Sequence, residues 1–66
     1  MRIRLNGEPR EVEDGIDLPL LLAGLGRDRR TVAIAVNAAV VPRNEIAGRR
    51  LAEGDEVEIV EAVGGG

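Results

Sequence analysis

The residues of this chain whose types suggest chemistry lie at its end, in the run Val63-Gly64-Gly65-Gly66. Glycine has no Cβ, so three glycines in a row add no packing and lose the most entropy on ordering. Such a run instead carries a terminal carboxylate on a thin, flexible arm, and four extended residues reach roughly 13 Å. An arm of this kind fits a channel too narrow for any side chain and can place its carboxyl group against a nucleotide phosphate. Gly66 is therefore the candidate reacting residue, although a frayed tail or a cloning remnant would show the same composition.

The composition of the chain argues against most catalytic sites. It contains no Cys and no His, so it offers no thiolate, no ordinary general base at neutral pH and not the commonest metal ligand. It has no aromatic residue on which a base or a sugar could stack. Twelve acidic residues against nine arginines give a formal net charge of −3, and phosphate neutralisation needs a basic face. A conventional active site, a metal site and a nucleic-acid partner are therefore not expected.

The length of the chain, 66 residues, is enough for one domain. A fold of this size buries only roughly 60% of its unfolded surface, so its core must be compact. No apolar run approaches the roughly 18 residues of a membrane helix, and no signal peptide precedes the first strand-like segment. We expect one domain over residues 1–62 with a flexible tail over 63–66. We also expect a monomer that is cytoplasmic and makes no membrane contact.

The domain that carries this tail begins with a predicted β-hairpin. Apolar residues alternate with arginines over residues 1–5, the period of a half-buried strand. Asn6-Gly7 follows, which is the strongest short-range signal for a two-residue hairpin turn. The chain then returns antiparallel over residues 9–13, in a register that places Arg2 opposite Glu11.

A short amphipathic helix is predicted next. Asp17 is a good N-cap residue, and Gly26 is a plausible residue at which the helix ends. Leucines recur between them at i, i+3, i+4 and i+7, which places them in one apolar stripe: Leu18, Leu21, Leu22 and Leu25. Such a stripe is typical of a helix packed on a core, and a charged loop over residues 27–31 follows it.

The remaining sequence predicts three strands and one helical turn. Bulky residues alternate with alanines over residues 32–36, after which Asn37 suits the left-handed conformation of a turn. A short strand over 40–41, a helical turn over 44–47 and a final strand from Glu56 complete the pattern. We therefore predict an α+β fold in which one helix packs across a mixed sheet of four to five strands.

The alternation of acidic and apolar residues in the final strand breaks at Val60 and Glu61. Continuing the period places Glu61 on the core face and both Val60 and Ala62 on the outer face. Either a bulge shifts the register or the chain leaves the sheet near Val60. Both interpretations leave Val60, Ala62 and Val63 partly exposed as candidate contacts for a partner, with ordinary fraying of a terminal strand as the alternative. Residues 51–66 also carry a charge of −5, which suits a basic rim on a partner or a solvated face.

Four segments carry a family resemblance. They are AVN at 35–37, VVPR at 40–43, GDEVEIV at 54–60 and the terminal AVGGG at 62–66. In this order they resemble the ThiS family of sulfur carriers in thiamine biosynthesis, over essentially the whole chain. One departure is that Ile46 stands where the family typically has a tryptophan, and an apolar residue is retained there.

The resemblance implies a ubiquitin-like β-grasp fold and a defined chemistry at the tail. A ThiF-like adenylating enzyme would use ATP to adenylate the carboxyl group of Gly66, with Gly65 as the thin residue before it. Sulfur from a persulfide on another protein would then give a thiocarboxylate, which would donate its sulfur to a ThiG-like thiazole synthase. The chain itself would bind no cofactor and would act as a co-substrate, with catalysis supplied by its partner enzymes.

Other interpretations of the same residues stay open. The sulfur carrier of molybdopterin synthase shares the fold, the tail and the activation, and a ubiquitin-like protein modifier would use the same tail to acylate another protein. From a different class, the TGS-like β-grasp module associates with RNA and has a similar arrangement of VN and GDxVEI. An acidic chain that ends in glycines fits that module poorly.

Overall fold

The computed structural model of the protein describes residues 1–61, and the predicted site residues Ala62, Val63, Gly64, Gly65 and Gly66 lie outside this part. The described chain forms a five-stranded mixed sheet with the strand order β2-β1-β5-β3-β4 and one α-helix. The strands are β1 (Arg2–Leu5), β2 (Glu8–Glu11), β3 (Val32–Val36), β4 (Ala39–Val40) and β5 (Glu56–Glu61), and the helix is α1 (Leu18–Leu25). Two 3-10 helices, Arg29–Thr31 and Arg43–Gly48, connect them. The predicted α+β architecture is confirmed.

The N-terminal hairpin forms in the predicted register. Asn6 and Gly7 both have positive φ, 51° and 85°, as a two-residue turn between right-twisted strands requires. Arg2 pairs with Glu11 across β1 and β2, and the Arg2 Nε lies 2.9 Å from the Glu11 Oε1. The turn residues and the cross-strand charges therefore agree with the observed register.

The helix begins and ends where its capping residues predict. The Asp17 carboxylate accepts a hydrogen bond from the backbone N–H of Leu20 at 2.9 Å, and Gly26 adopts a left-handed φ of 70°. The leucine stripe packs against one face of the sheet in a single apolar core, whose buried members are Ile3, Leu18, Leu21, Leu22, Val32, Ile34, Val36, Val41, Ile46, Leu51, Val57 and Ile59. No helix within residues 1–61 is long and apolar enough to cross a membrane.

The second hairpin differs in detail from the pattern that the sequence predicts. Both residues of its turn, Asn37 and Ala38, have positive φ (52° and 68°), whereas residue type favours that conformation only for Asn37. A left-handed alanine costs about 1–2 kcal/mol, so the pairing of β3 with β4 must compensate for it. The second strand of this hairpin is Ala39–Val40, one residue earlier than predicted. The expected helical turn is a 3-10 helix that buries Ile46 in the core.

Strand β5 remains in the sheet to its last described residue. It pairs antiparallel with β3 without interruption, from Val36 opposite Val57 to Val32 opposite Glu61. The prediction of a bulge or a departure near Val60 is therefore wrong. The strand can keep its alternation of inner and outer side chains although this places Glu61 on the core face. Glu61 lies at the end of the sheet, where its carboxylate is about half exposed and forms an ion pair with the guanidinium of Arg27.

Candidate functional site

The candidate site is the end of β5, which carries the tail proposed to react. Of the residues predicted from the sequence, Val60 is described, and its side chain is 60% exposed on the outer face of the sheet, away from α1. This confirms the predicted exposure of Val60, while its role as a partner contact stays a prediction. The other site residues lie outside the described part, so the structure defines the base from which the tail leaves.

Strand β5 is held from both sides as the central strand of the sheet. Five residue pairs join it to β3, but only two join it to β1, Arg4 with Glu56 and Leu5 with Val57. On the β1 side, the backbone N–H of Arg4 donates to the backbone carbonyl of Asp55 at 2.9 Å, and the backbone N–H of Asn6 donates to the backbone carbonyl of Val57 at 2.8 Å. The backbone of β1 turns away after this point, before it can reach Ile59.

The side chain of Asn6 continues the ladder where the backbone of β1 stops. Its Oδ1 accepts a hydrogen bond from the N–H of Ile59 at 2.9 Å, and its Nδ2 donates to the carbonyl of Ile59 at 3.2 Å. One amide therefore satisfies both backbone groups of a strand residue, as a paired strand would. The left-handed φ of Asn6 is what directs this turn residue alongside β5.

The side chain of Asn37 also binds β5, at the opposite end of the strand and through one backbone group. Its Oδ1 accepts from the N–H of Glu56 at 3.0 Å, and its Nδ2 donates to the carboxylate of Asp55 at 3.0 Å. Sequence reasoning identified both asparagines as turn residues and missed these contacts. The available signal was that an asparagine side chain carries the same donor and acceptor as a peptide group.

Replacing Asn6 is expected to loosen β5 and to lower the stability of the fold. Asn6→Gly keeps the positive φ accessible and removes only the side-chain bonds, so we expect a loss of about 1–3 kcal/mol. Asn6→Ala should lose about 1 kcal/mol more because alanine disfavours the left-handed conformation. Thermal unfolding measures both, with Asn44→Ala as a control at an exposed asparagine. An unchanged Tm for Asn6→Gly would show that these bonds contribute nothing.

The outer face of the sheet beside Val60 carries an apolar surface, which we call the outer patch: Ala33, Ala35, Val40 and Val60. Pairing places Ala33 beside Val60 and Ala35 beside Val40, so two small side chains lie between two larger ones. The result is a shallow groove of about 250 Å³, with Val40 76% exposed and the carboxylate of Glu58 at its rim. Such a groove suits a small apolar side chain of a partner.

The acidic character of β5 is partly compensated within the fold. Glu56 lies 3.5 Å from the Nε of Arg4, and Glu61 is paired with Arg27. The carboxylate of Asp55 is also engaged, since it accepts from the N–H of Ala52 at 2.8 Å. Within residues 1–61, Glu58 is the acidic residue of β5 that makes no ion pair. Glu58 can therefore pair with a basic rim on a partner without giving up an ion pair within residues 1–61.

The sequence and the fold both match known proteins. A family model described as the ThiS family matches residues 3–66. A protein of Magnetococcus marinus named thiazole synthase is 46% identical over 66 residues, which are 100% of this chain and 20% of that protein. A protein of Porphyra purpurea named ycf40 is 33% identical over 97% of this chain and 90% of its own length. The crystal structure of the thiamine biosynthesis protein (ThiS) from Geobacter metallireducens superposes with a TM-score of 0.86 at 28% identity, covering 100% of both chains. The chain thus spans about a fifth of the thiazole synthase that it matches.

Proposed function

Because this chain belongs to the ThiS family of sulfur carriers in thiamine biosynthesis, we propose that its terminal carboxyl group is the group that carries sulfur. A carboxylate oxygen of Gly66 attacks the α-phosphorus of ATP on a ThiF-like enzyme, and pyrophosphate leaves. The outer sulfur of a persulfide on another protein then attacks the acyl carbon, AMP leaves, and an acyl disulfide joins the two proteins. A thiol attacks the donor's sulfur in this disulfide, so the chain is released as a thiocarboxylate and the donor is joined to the thiol in a new disulfide. The observation that carries this proposal is the family match through Gly66, over the three terminal glycines.

Activation by a separate enzyme follows from the chemistry of the carboxyl group. A terminal carboxylate has an ordinary pKa of about 3.5, so it is ionised at neutral pH and is a poor electrophile. Joining it to AMP supplies a good leaving group for the incoming sulfur. The chain contains no Cys, so it cannot itself supply the sulfur. Catalysis therefore belongs to the partners, and this chain is their co-substrate.

The proposed acceptor of the sulfur is a ThiG-like thiazole synthase. The support is that the relative in Magnetococcus marinus is named thiazole synthase and contains a stretch similar to this whole chain as a fifth of its length.

The intact mass of the protein, purified without a C-terminal tag, tests this proposal directly. Replacing one carboxyl oxygen with sulfur adds about 16 Da, nearly the same mass as one oxidation of the single methionine, Met1. Fragmentation must therefore place the added mass on the terminal glycines, and a thiol-alkylating reagent must shift that species to a higher mass. The proposal predicts this species after incubation with ATP, a ThiF-like enzyme, a persulfide donor and a thiol reductant. An added mass that locates to Met1, or none at all, contradicts it.

A further inference from the structure

Four arginines gather at the end of the sheet from which the tail departs. The turn Arg29–Thr31 leads directly into β3, whose first residue, Val32, is paired with Glu61. The fold therefore places the loop after α1 beside the last residues of β5, although 34 positions separate Arg27 from Glu61 in the sequence. We call this surface the arginine end and define it as Arg27, Arg29, Arg30 and Arg43.

Direct contacts join the parts of the arginine end. The guanidinium of Arg27 forms an ion pair with the carboxylate of Glu61, and both side chains are about half exposed. The guanidinium of Arg43, from the second 3-10 helix, donates to the backbone carbonyl of Arg29. The loop, the 3-10 helix and the end of β5 are thus tied to one another.

Asp28 orders the turn that presents these cations. Its carboxylate accepts from the backbone N–H of Arg30 at 2.8 Å and lies 2.9 Å from the Nη2 of the same residue. The hydrogen bonds from Arg30 hold the pKa of Asp28 below its ordinary value, so this carboxyl group stays ionised at neutral pH. Arg29 is exposed and makes no ion pair with any residue from 1 to 61, which leaves its charge available.

A cleft of about 460 Å³ lies beside the arginine end, on the side of the sheet that α1 covers. Leu22 and Ala23 of α1 form part of its wall, and Arg27 and Arg29 line its other side. It therefore combines apolar surface with two arginines and one acidic residue, Asp28. The outer patch lies on the opposite face of the sheet, so the two surfaces flank the end of β5 from different sides.

The charge of the arginine end is opposite to that of the molecule. Four arginines against the two carboxylates of Asp28 and Glu61 give this surface a formal charge of +2, in a chain of net charge −3. Exposed ion pairs contribute little to stability, typically about 0–1 kcal/mol each. A localised charge instead steers an oppositely charged partner and fixes its orientation. A charge of +2 without aromatic residues is a weak platform for nucleic acid, so an acidic protein surface is the better match.

We propose that the arginine end and its cleft form a second docking surface, on which the ThiF-like enzyme places an acidic segment when it takes the tail. The inference rests on the proposed function. Gly66 is five residues beyond Glu61, and five fully extended residues span roughly 18 Å. The carboxyl group of Gly66 can therefore be no farther than this from Glu61. An enzyme that reaches this group must approach the end of β5 closely, and the arginine end is one of the two surfaces that flank it.

Charge reversal at Arg29 tests this docking surface. Arg29→Glu is expected to weaken binding to the ThiF-like enzyme by about tenfold at low salt, mainly through slower association, and the loss should shrink as salt is added. Arg29→Lys keeps the charge and should bind nearly as the parent chain does. Arg10→Glu makes the same change of net charge at an exposed arginine of β2, an edge strand that β1 separates from β5. This variant should have little effect.

The same variants distinguish a local docking surface from a general effect of net charge. Equal losses for Arg29→Glu and Arg10→Glu would reduce the effect to net charge and overturn the proposal. So would an unchanged affinity of Arg29→Glu, a loss confined to a thiazole synthase, or binding of an RNA oligonucleotide that depends on Arg29. Equal Tm values for the variants confirm that folding is intact.

Adenylation kinetics separate this inference from the proposed function. ATP–pyrophosphate exchange should show a higher KM and an unchanged kcat for Arg29→Glu, since a docking contact contributes binding that is the same in the ground state and the transition state. Exchange by the parent chain together with unaltered kinetics of Arg29→Glu would overturn the docking surface and leave the proposed function standing. Absence of exchange by the parent chain would instead remove the proposed function.

Discussion

Deletion of Gly66 is expected to abolish adenylation of this protein and to leave its thermal unfolding unchanged. The shortened chain still ends in a carboxylate, but that group lies about 3.5 Å short of the position the activating enzyme requires. A misplacement of even about 1 Å can lower a rate by about a hundredfold, so the remaining carboxylate should be inert. The stability should not change because the core residues buried within residues 1–61 all lie between Ile3 and Ile59, and the deletion removes none of them.

ATP–pyrophosphate exchange with a ThiF-like enzyme measures this effect. A chain of full length whose terminal carboxyl group is replaced by a carboxamide is the matched control, since it preserves the reach of the tail and removes only the reacting oxygen. A chain extended by one glycine tests the opposite displacement. All three variants should be inactive and should retain the parent Tm. Substantial exchange with the carboxamide would mean that Gly66 is not the acceptor.

Val60→Asp is expected to weaken binding of the partner enzyme by at least about tenfold while the domain stays folded. The substitution introduces a charge into the outer patch, where docking would bury it without a counter-ion. It also adds a second carboxylate near Glu58, at the rim of the same groove. The cost to folding should be small because the Val60 side chain is mostly exposed, although aspartate has a lower strand propensity than valine.

Two matched variants make this prediction specific to the outer patch. Leu20→Asp introduces the same charge at a side chain of nearly equal exposure, 62%, on α1 and therefore on the opposite side of the sheet. Val60→Thr keeps the branched shape and the strand propensity. Calorimetric titration should find a loss for Val60→Asp, little change for Leu20→Asp and a modest loss for Val60→Thr. Similar affinities for the two aspartate variants would remove the outer patch from the interface.

The salt dependence of partner binding distinguishes the two surfaces that flank the end of β5. A defect caused by burial of a charge in an apolar groove should persist at high ionic strength. A defect at Arg29 acts through the field between exposed charges, which salt screens over about 10 Å at 0.1 M. A defect of Val60→Asp that persists in salt, together with a defect of Arg29→Glu that shrinks, would therefore indicate that the outer patch and the arginine end contribute by different physical means.

Two features of the candidate site were predictable because they depend only on the order of residues along the chain. The terminal glycines and the exposure of Val60 follow from composition and from the alternation of the last strand. The contacts that hold β5 were not predictable in the same way. Asn6 and Asn37 are recognisable as turn residues, but their bonds to Ile59 and Glu56 exist only because β5 lies beside both turns.

The sequence by itself determined the local elements: the Asn6-Gly7 hairpin, the helix between Asp17 and Gly26, and the face that β1, β3 and β5 bury. These depend on backbone preferences and on periodicity over a few residues, which neighbouring side chains set. Only the tertiary structure decided that β5 lies between β1 and β3, and that the loop from Arg27 to Thr31 lies beside the end of β5. A period of two shows which face a strand buries and says nothing about which strand pairs with it. That choice depends on burying one shared core across distant parts of the chain.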